Sequence, residues 1–271
     1  MDNTNQQSGT PSGTGAGPIL STKALTKDFG AFRAVDQVSI EINHGSITGL
    51  IGPNGAGKST FFNVLTGVLA PSDGQVFLDG QEITGQAPDV LFAKKLARTF
   101  QIPRPFKRMS LLENVMLAPL SQIGESIIGP FLNAKKMRAQ EEENREKALK
   151  LLEFVTLGKL ADQAAGQVSG GQTKLLELAR VLMGDPLVIL LDEPAAGVNP
   201  SLTRILIERI EELNRQGKTF LIIEHDMDFV MRHCDPIIAL AEGSIVFEGT
   251  AEQAQASPIL LDAYLGAPAD G

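Results

Sequence analysis

The chain has 271 residues, 43% of them hydrophobic, and a net charge of -8 from 24 basic and 32 acidic side chains. That is enough apolar material for one large domain with a buried core, and the acidic balance lacks the basic excess that marks nucleic-acid binding. A single cysteine, Cys234, rules out an intrachain disulfide and is compatible with a reducing compartment. No window supplies the roughly 20 apolar residues of a membrane-spanning helix, and the N-terminus lacks a secretory pattern. Any work at a membrane is expected to run through a partner.

Residues 1–17 are mostly Gly, Ser, Thr, Asn and Gln. They are expected to form a disordered tail because they cannot bury enough surface to offset ordering, so order should start near Ile19. The alternation of Val38, Ile40 and Ile42 predicts a half-buried strand, and residues 47–51 predict a second one ending in a glycine-rich turn. Phe61, Phe62, Val64, Leu65 and Val68 recur at helical spacing, giving the order strand, loop, helix. Val76 to Leu78 followed by Asp79-Gly80 predicts a hairpin.

Between about residues 102 and 184 apolar residues thin out and charges cluster. Met137, Leu149, Leu152 and Phe154 are placed to line one face of a long helix, with Glu141 to Glu143 on a solvated face. This section reads as a helical subdomain inserted into an α/β core. The core resumes with residues 187–191 and 219–223, short apolar runs suited to buried parallel strands. Between them, residues 201–215 carry Ile205, Ile210 and Leu213 at helical spacing, with Ser201 expected to help start that helix. A second hairpin is predicted around Glu242-Gly243. Strands alternating with helices imply a mostly parallel sheet covered on both faces.

Two motifs carry chemistry. Gly52-Pro-Asn-Gly-Ala-Gly-Lys58-Ser59 matches the phosphate-binding loop pattern. Its glycines remove bulk, so amides from Asn54, Gly55, Ala56, Gly57 and Lys58 can face phosphate oxygens, aided by the positive end of the following helix, where Thr60 also lies. Lys58 supplies charge to the β and γ phosphates, and the Ser59 hydroxyl a ligand for Mg²⁺. In Val188-Ile-Leu-Leu-Asp192-Glu193-Pro194, a buried strand delivers Asp192 to hold Mg²⁺ through water and Glu193 to orient or deprotonate the attacking water. Together they predict a P-loop nucleotide hydrolase using ATP and Mg²⁺.

A third stretch, Val168-Ser169-Gly170-Gly171-Gln172 ahead of a helix-like run, is physically a second anion site: a small hydroxyl, two glycines and a helix N-terminus. It closely resembles the signature sequence of ABC ATPases. The resemblance runs from about residue 20 to 266. It implies an ABC-type core (residues 18–101 and 185–250) with an N-terminal antiparallel β subdomain, a helical subdomain (102–184) and a C-terminal helix (251–266). It implies that Ser169, Gly170, Gly171 and Gln172 grip the γ-phosphate held by another subunit's P-loop. Gln101 looks like the glutamine that senses Mg²⁺ and the attacking water and relays nucleotide state to a membrane partner. His225 resembles the switch histidine on the γ-phosphate, and Phe29 stands where the family stacks an aromatic on adenine. His44 and His233 have no such context.

Asn199 in Ala195-Ala-Gly-Val-Asn199-Pro200, with Ser110-Leu-Leu-Glu-Asn114-Val, Glu224-His-Asp-Met227 and Ala263-Tyr-Leu-Gly266, resembles ATPases of branched-chain amino acid importers. That subgroup implies integral membrane permeases, a second ATP-binding subunit (identical or related) and, indirectly, an external solute-binding protein, with no nucleic acid. It places the chain at the cytoplasmic face of the inner membrane. Urea or amide import and lipopolysaccharide-type export are neighbouring readings. A soluble non-transport ABC ATPase is disfavoured because neither a long coiled-coil insertion nor a second ATPase domain is present, and a small-molecule kinase or GTPase leaves Ser169 to Gln172 and His225 unexplained.

Overall fold

The computed structural model describes residues 17–99, 104–118, 134–258 and 260. The chain opens with β1 (Leu20–Phe29), β2 (Phe32–Val38), β3 (Glu41–Ile42) and β4 (Ile47–Ile51), followed by α1 (Lys58–Leu65). Next come β5 (Asp73–Leu78), β6 (Gln81–Glu82), α2 (Pro88–Ala93) and β7 (Leu96–Arg98), then α3 (Leu111–Met116), α4 (Ala134–Phe154) and α5 (Gly170–Leu182). The last elements are β8 (Val188–Asp192), α6 (Pro200–Arg215), β9 (Thr219–Ile223), α7 (Met227–His233), β10 (Ile237–Ala241), β11 (Ser244–Gly249) and α8 (Ala251–Gln255).

Six strands form one sheet in the order β11-β10-β4-β9-β8-β7, parallel throughout except for the β10–β11 hairpin. Its central strands send alternate side chains into two cores. Ile189, Leu191, Phe220 and Ile222 enter one core, and Val188, Leu190, Leu221 and Ile223 the other. With both faces covered there is no solvent side, so residues 188–191 and 220–223 are apolar runs rather than alternating ones, and all are buried, as are Asp192 and Thr219 at the strand ends; Leu187, expected to open the first run, lies before β8 and is exposed. The first core is shared with α5, α6 and α7. The second is closed by the antiparallel sheet β2-β1-β5-β6, with β3 also on β1.

Helix α1 lies between these two sheets. Phe61, Phe62, Val64 and Leu65 are buried in the same core as Leu20, Leu25 and Val76. Each such side chain contributes about 1.5–3 kcal/mol on burial. Eight residues of helix are only marginal by propensity, so packing between the sheets is what holds this helix and the loop before it. Val68 lies past the helix end and is exposed, unlike the other members of its predicted face.

The strand predicted across Val38, Ile40 and Ile42 is split. All three are buried as the alternation requires, but β2 ends at Val38 and β3 begins at Glu41. The buried Thr22 hydroxyl explains the gap: it donates to the Val38 carbonyl (2.9 Å) and accepts from the Ile40 amide (3.1 Å), taking the place of a ladder contact. The hairpin at Asp79-Gly80 has positive φ at both positions (48° and 72°), as has Glu242-Gly243 (48° and 80°), the geometry that matches strand twist.

The charged section folds as the 21-residue α4, packed against α3 and α5. Leu152 is fully buried, Leu149 and Phe154 pack against the first core, and Glu141 to Glu143 are exposed. Helix α6 starts one residue earlier than predicted. Asn199, not Ser201, is its cap, with Oδ1 accepting from the Leu202 amide (2.9 Å) and Pro200 in the first turn. The expected tail lies outside the described residues apart from Gly17, and the Ala263-Tyr-Leu-Gly266 stretch does so entirely.

Candidate nucleotide-hydrolysis site

Strand β4 delivers the chain to Gly52, and two glycines of the loop cannot be replaced without displacing backbone. At Gly52 (φ 152°) a Cβ would stand 2.2 Å from the Leu240 carbonyl oxygen. At Gly57 (φ 97°) it would stand 2.2 Å from that of Ala34. Gly57 is the N-cap of α1, and the helix has no side-chain cap, whereas α5 and α6 are capped by Ser169 and Asn199. The first amides of α1 are therefore left for an anion. Gly55 also has a positive φ, 82°, but open space around it. Gly57→Ala is accordingly expected to destabilise the fold by about 2 kcal/mol or more, and Gly55→Ala by about 1 kcal/mol, read as shifts in urea midpoint. Equal shifts for the two variants would sink the clash argument.

Lys58 is buried. Its ammonium donates to the carbonyls of Gly52 (2.6 Å) and Pro53 (3.0 Å), so the lysine is folded into its own loop. Burial pulls its pKa below the ordinary lysine value, while the carboxylates of Glu193 and Asp192 oppose that shift. The Ser59 side and Asp192 border one cavity of about 650 Å³, lined also by Asn63, Arg98, Glu177 and Arg180. A hydroxyl and a carboxylate at one cavity next to a phosphate loop fit Mg²⁺, which takes few protein oxygens and draws the rest from phosphates and water.

Asp192 ends β8, and Arg98 at the end of β7 reaches it, Nη2 donating to Oδ2 at 2.7 Å with both side chains almost fully buried. The other guanidinium arm donates to Asn63 Oδ1 (2.6 Å), and the group lies 5.5 Å from the Phe62 ring centre. Arg98 thus joins the carboxylate of β8 to the phosphate helix and compensates a charge that burial would otherwise penalise by several kcal/mol.

Glu193 has φ 49°, a left-handed conformation that costs a non-glycine residue about 1–3 kcal/mol. Its surroundings fix it there. The Glu193 amide donates to Ile223 O (2.9 Å), and its carbonyl accepts from Ala196 N (3.2 Å) and from Lys174 Nζ (2.5 Å). Its Oε1 is 2.9 Å from His225 Nε2. Beneath them, buried Glu224 accepts from the amides of Ala195 (2.8 Å) and His225 (3.2 Å). Burial raises the Glu224 pKa, opposed chiefly by those two amide bonds. A carboxylate and an imidazole in contact, beside a buried lysine and an open helix end, can align water against a terminal phosphate.

The structure therefore gathers Lys58, Ser59, Asp192, Glu193 and His225. Asn54 and Gly55 are exposed on the loop, Ala56 is buried, and Thr60 follows Ser59 in α1. Ser169 and Gln172 form a reciprocal capping box at the start of α5 (3.3 Å and 2.9 Å). Ser169 and Gly170 are exposed, whereas Gly171 is buried against Leu202 and Val198. None of these four lines the cavity of Ser59 and Asp192. Phe29, at the tip of the β1–β2 hairpin opposite Phe32, is 47% exposed, with the Lys27 ammonium 5.3 Å from its ring centre. Gln101 lies outside the described residues. Sequence reasoning assigned no role to Arg98, Lys174 or Glu224. The usable signal for Glu224 was an acid ending a buried strand directly before His225.

A phosphate loop at the end of a parallel strand, with an acidic pair at the end of β8, defines a P-loop nucleotide hydrolase. The ABC transporter family description matches residues 35–196, more than half the chain, so this chain is a member of the ABC transporter family and an ATP-hydrolysing cassette. It is 43% identical over 252 residues, 92% of this chain and 96% of the other, to the probable branched-chain amino acid transport ATP-binding protein LivG of Archaeoglobus fulgidus. Among solved structures it resembles a nucleotide-free ATP-binding cassette from an ABC transporter (TM-score 0.80, 42% identity, 92% of this chain and 99% of that one). It also resembles a dimeric cassette in a post-hydrolysis state bound to ADP and Pi (TM-score 0.71, 27% identity, 86% and 98% covered). Among the described residues no helix is long and apolar enough to cross a membrane.

Proposed function

We propose that this chain is the ATP-hydrolysing subunit of an importer for branched-chain amino acids, seated on permease subunits at the cytoplasmic face of the membrane. The observation that carries this reading is the 43% identity to LivG over nearly the full length of both chains, on a fold whose phosphate loop and acidic pair are intact. Two cassettes, identical or related, pair, as the dimeric relative supports, and the family resemblance makes the pair head to tail. Phe29 stacks on adenine, and residues 54–60 cradle the phosphates. Lys58 turns from its loop carbonyls to the β and γ phosphates. Ser59 and, through water, Asp192 would hold Mg²⁺, with Gln101 as a further ligand. When bound, this ion spreads the charge of the phosphate oxygens. Glu193 orients and deprotonates the attacking water, His225 touches the γ-phosphate, and Ser169 to Gln172 close over the nucleotide of the partner subunit. An external solute-binding protein selects the cargo.

Affinity purification of the tagged chain from its own membranes in mild detergent tests this. Multi-spanning permeases and a second ATPase should co-purify, with a binding protein that captures leucine, isoleucine or valine. Recovery of soluble partners alone leaves the ATPase standing and removes the transport role.

A further inference from the structure

Helix α5 begins at the exposed signature segment, and its fifth residue, Lys174, points the other way, into the protein. Its ammonium, half-buried beside the carboxylates of Glu224, Glu193 and Asp192, donates to the Glu193 carbonyl at 2.5 Å. Two other backbone anchors of Glu193, Ile223 and Ala196, belong to the neighbouring strand and to its own turn. Lys174 is the anchor supplied by α5. It is a charge-assisted contact, roughly twice as strong as a neutral one, and it acts on the peptide that sets the left-handed turn at Glu193. The same helix start also packs against the chain just beyond that turn: a Cβ at Gly171 would approach Leu202 Cδ1, in the first turn of α6, to 2.6 Å and Val198 Cγ1 to 3.0 Å. A displacement of the start of α5 is therefore passed to Glu193 through Lys174, while Gly171 ties the same helix start to the chain that follows the Glu193 turn.

We infer that Lys174 is a positioning residue that couples the signature segment Ser169 to Gln172 to the catalytic carboxylate of its own subunit. This rests on the head-to-tail pairing proposed above. In such a pair the signature segment of one subunit touches ATP on the partner's loop, whereas Glu193 serves ATP on its own loop. Lys174 then makes occupancy of one site set the geometry of the other, a coupling that appears as cooperative hydrolysis.

The test compares the full chain with Lys174→Gln, Lys174→Met and Lys174→Arg, reading urea midpoint, turnover and the Hill coefficient for ATP. Removing the donor should lower turnover about tenfold or more, since roughly 1 Å of misplacement is enough for 100-fold, and should bring the Hill coefficient to about 1. Lys174→Arg, which keeps a charged donor, should restore cooperativity. ATP-driven dimers of the Glu193→Gln protein, followed by size-exclusion chromatography, should persist when Lys174→Gln is added. Wild-type turnover and Hill coefficient in Lys174→Gln or Lys174→Met overturn the inference alone, as does a loss of turnover that leaves cooperativity intact. Absence of any ATP-driven dimer in Glu193→Gln, with non-cooperative wild-type hydrolysis, overturns the pairing itself and the coupling with it.

Discussion

Glu193→Gln should hydrolyse ATP about 100- to 10,000-fold more slowly than wild type, the range a positioned general base contributes, while binding ATP as tightly. The separation follows from where the anchors of this residue lie. Its backbone is held by the Ile223 carbonyl, the Ala196 amide and the Lys174 ammonium, none of which depends on the carboxylate. An amide of the same shape keeps a partner for His225 Nε2, now 2.9 Å from Glu193 Oε1. The phosphate cradle is built from Gly57, Lys58 and the uncapped end of α1, which the substitution leaves alone. What disappears is the basic oxygen. Phosphate release under saturating ATP measures the first effect and an equilibrium nucleotide titration the second, with the urea midpoint as a check on folding. Turnover within tenfold of wild type would remove Glu193 from the proton-accepting role and leave His225 as the group to test next. Lost ATP binding would instead mean that the carboxylate supports the cradle through the Lys58 charge.

Much of the scaffold was legible because its signals are local. The runs at residues 187–191 and 219–223 read as buried parallel strands because both faces of the sheet are covered, although the first strand is shifted by one residue and leaves Leu187 exposed, and Asp79-Gly80 and Glu242-Gly243 marked hairpins by their need for positive φ. The glycine pattern of residues 52–57 has a local cause as well: Gly52 and Gly57 each face a backbone carbonyl 2.2 Å from where a side chain would begin, and Gly55 has open space but a positive φ. Where a distant group substitutes for a local one, the reading fails. The alternation of Val38, Ile40 and Ile42 continues through a break in the strand because the Thr22 hydroxyl, from β1, fills the missing ladder contacts. Asn199 directly before Pro200 carried the pattern of a cap and first-turn proline, yet Ser201 was read as the starter. Arg98 and Lys174 left no local trace of their roles. Arg98 meets Asp192 across 94 residues and Lys174 meets Glu193 across 19, and a lone cation on a strand or helix gives no hint of which oxygen it will reach. Glu224 showed its charge in sequence but not its burial, which only the packing of β9 beneath the turn at Ala195 establishes.

Lys58→Ala should weaken ATP binding about 10- to 100-fold, since a hydrogen bond to a charged group contributes about 1.5–3 kcal/mol. Two further effects act in opposite directions. In the structure the ammonium is already satisfied by Gly52 O and Pro53 O, so engaging a phosphate means giving up contacts of 2.6 Å and 3.0 Å, which reduces the net loss on removing it. Those contacts also hold the loop in shape before nucleotide arrives, and alanine leaves two carbonyls to water and removes one of the cations beside the carboxylates of Asp192 and Glu193, which increases it. The second effect should win, because it damages the empty loop as well as the filled one. The urea midpoint of the nucleotide-free protein should therefore fall by an amount equivalent to about 1–3 kcal/mol together with the affinity. Lys58→Arg separates the parts: it restores charge, but its planar fork does not reproduce the close approach of a compact ammonium to two carbonyls, so it should recover more stability than affinity. Unchanged affinity in Lys58→Ala would take Lys58 out of the phosphate cradle. Lost affinity with an unchanged midpoint would show that the loop keeps its shape through Gly52 and Gly57 alone, and that Lys58 acts only once phosphate is there to meet it.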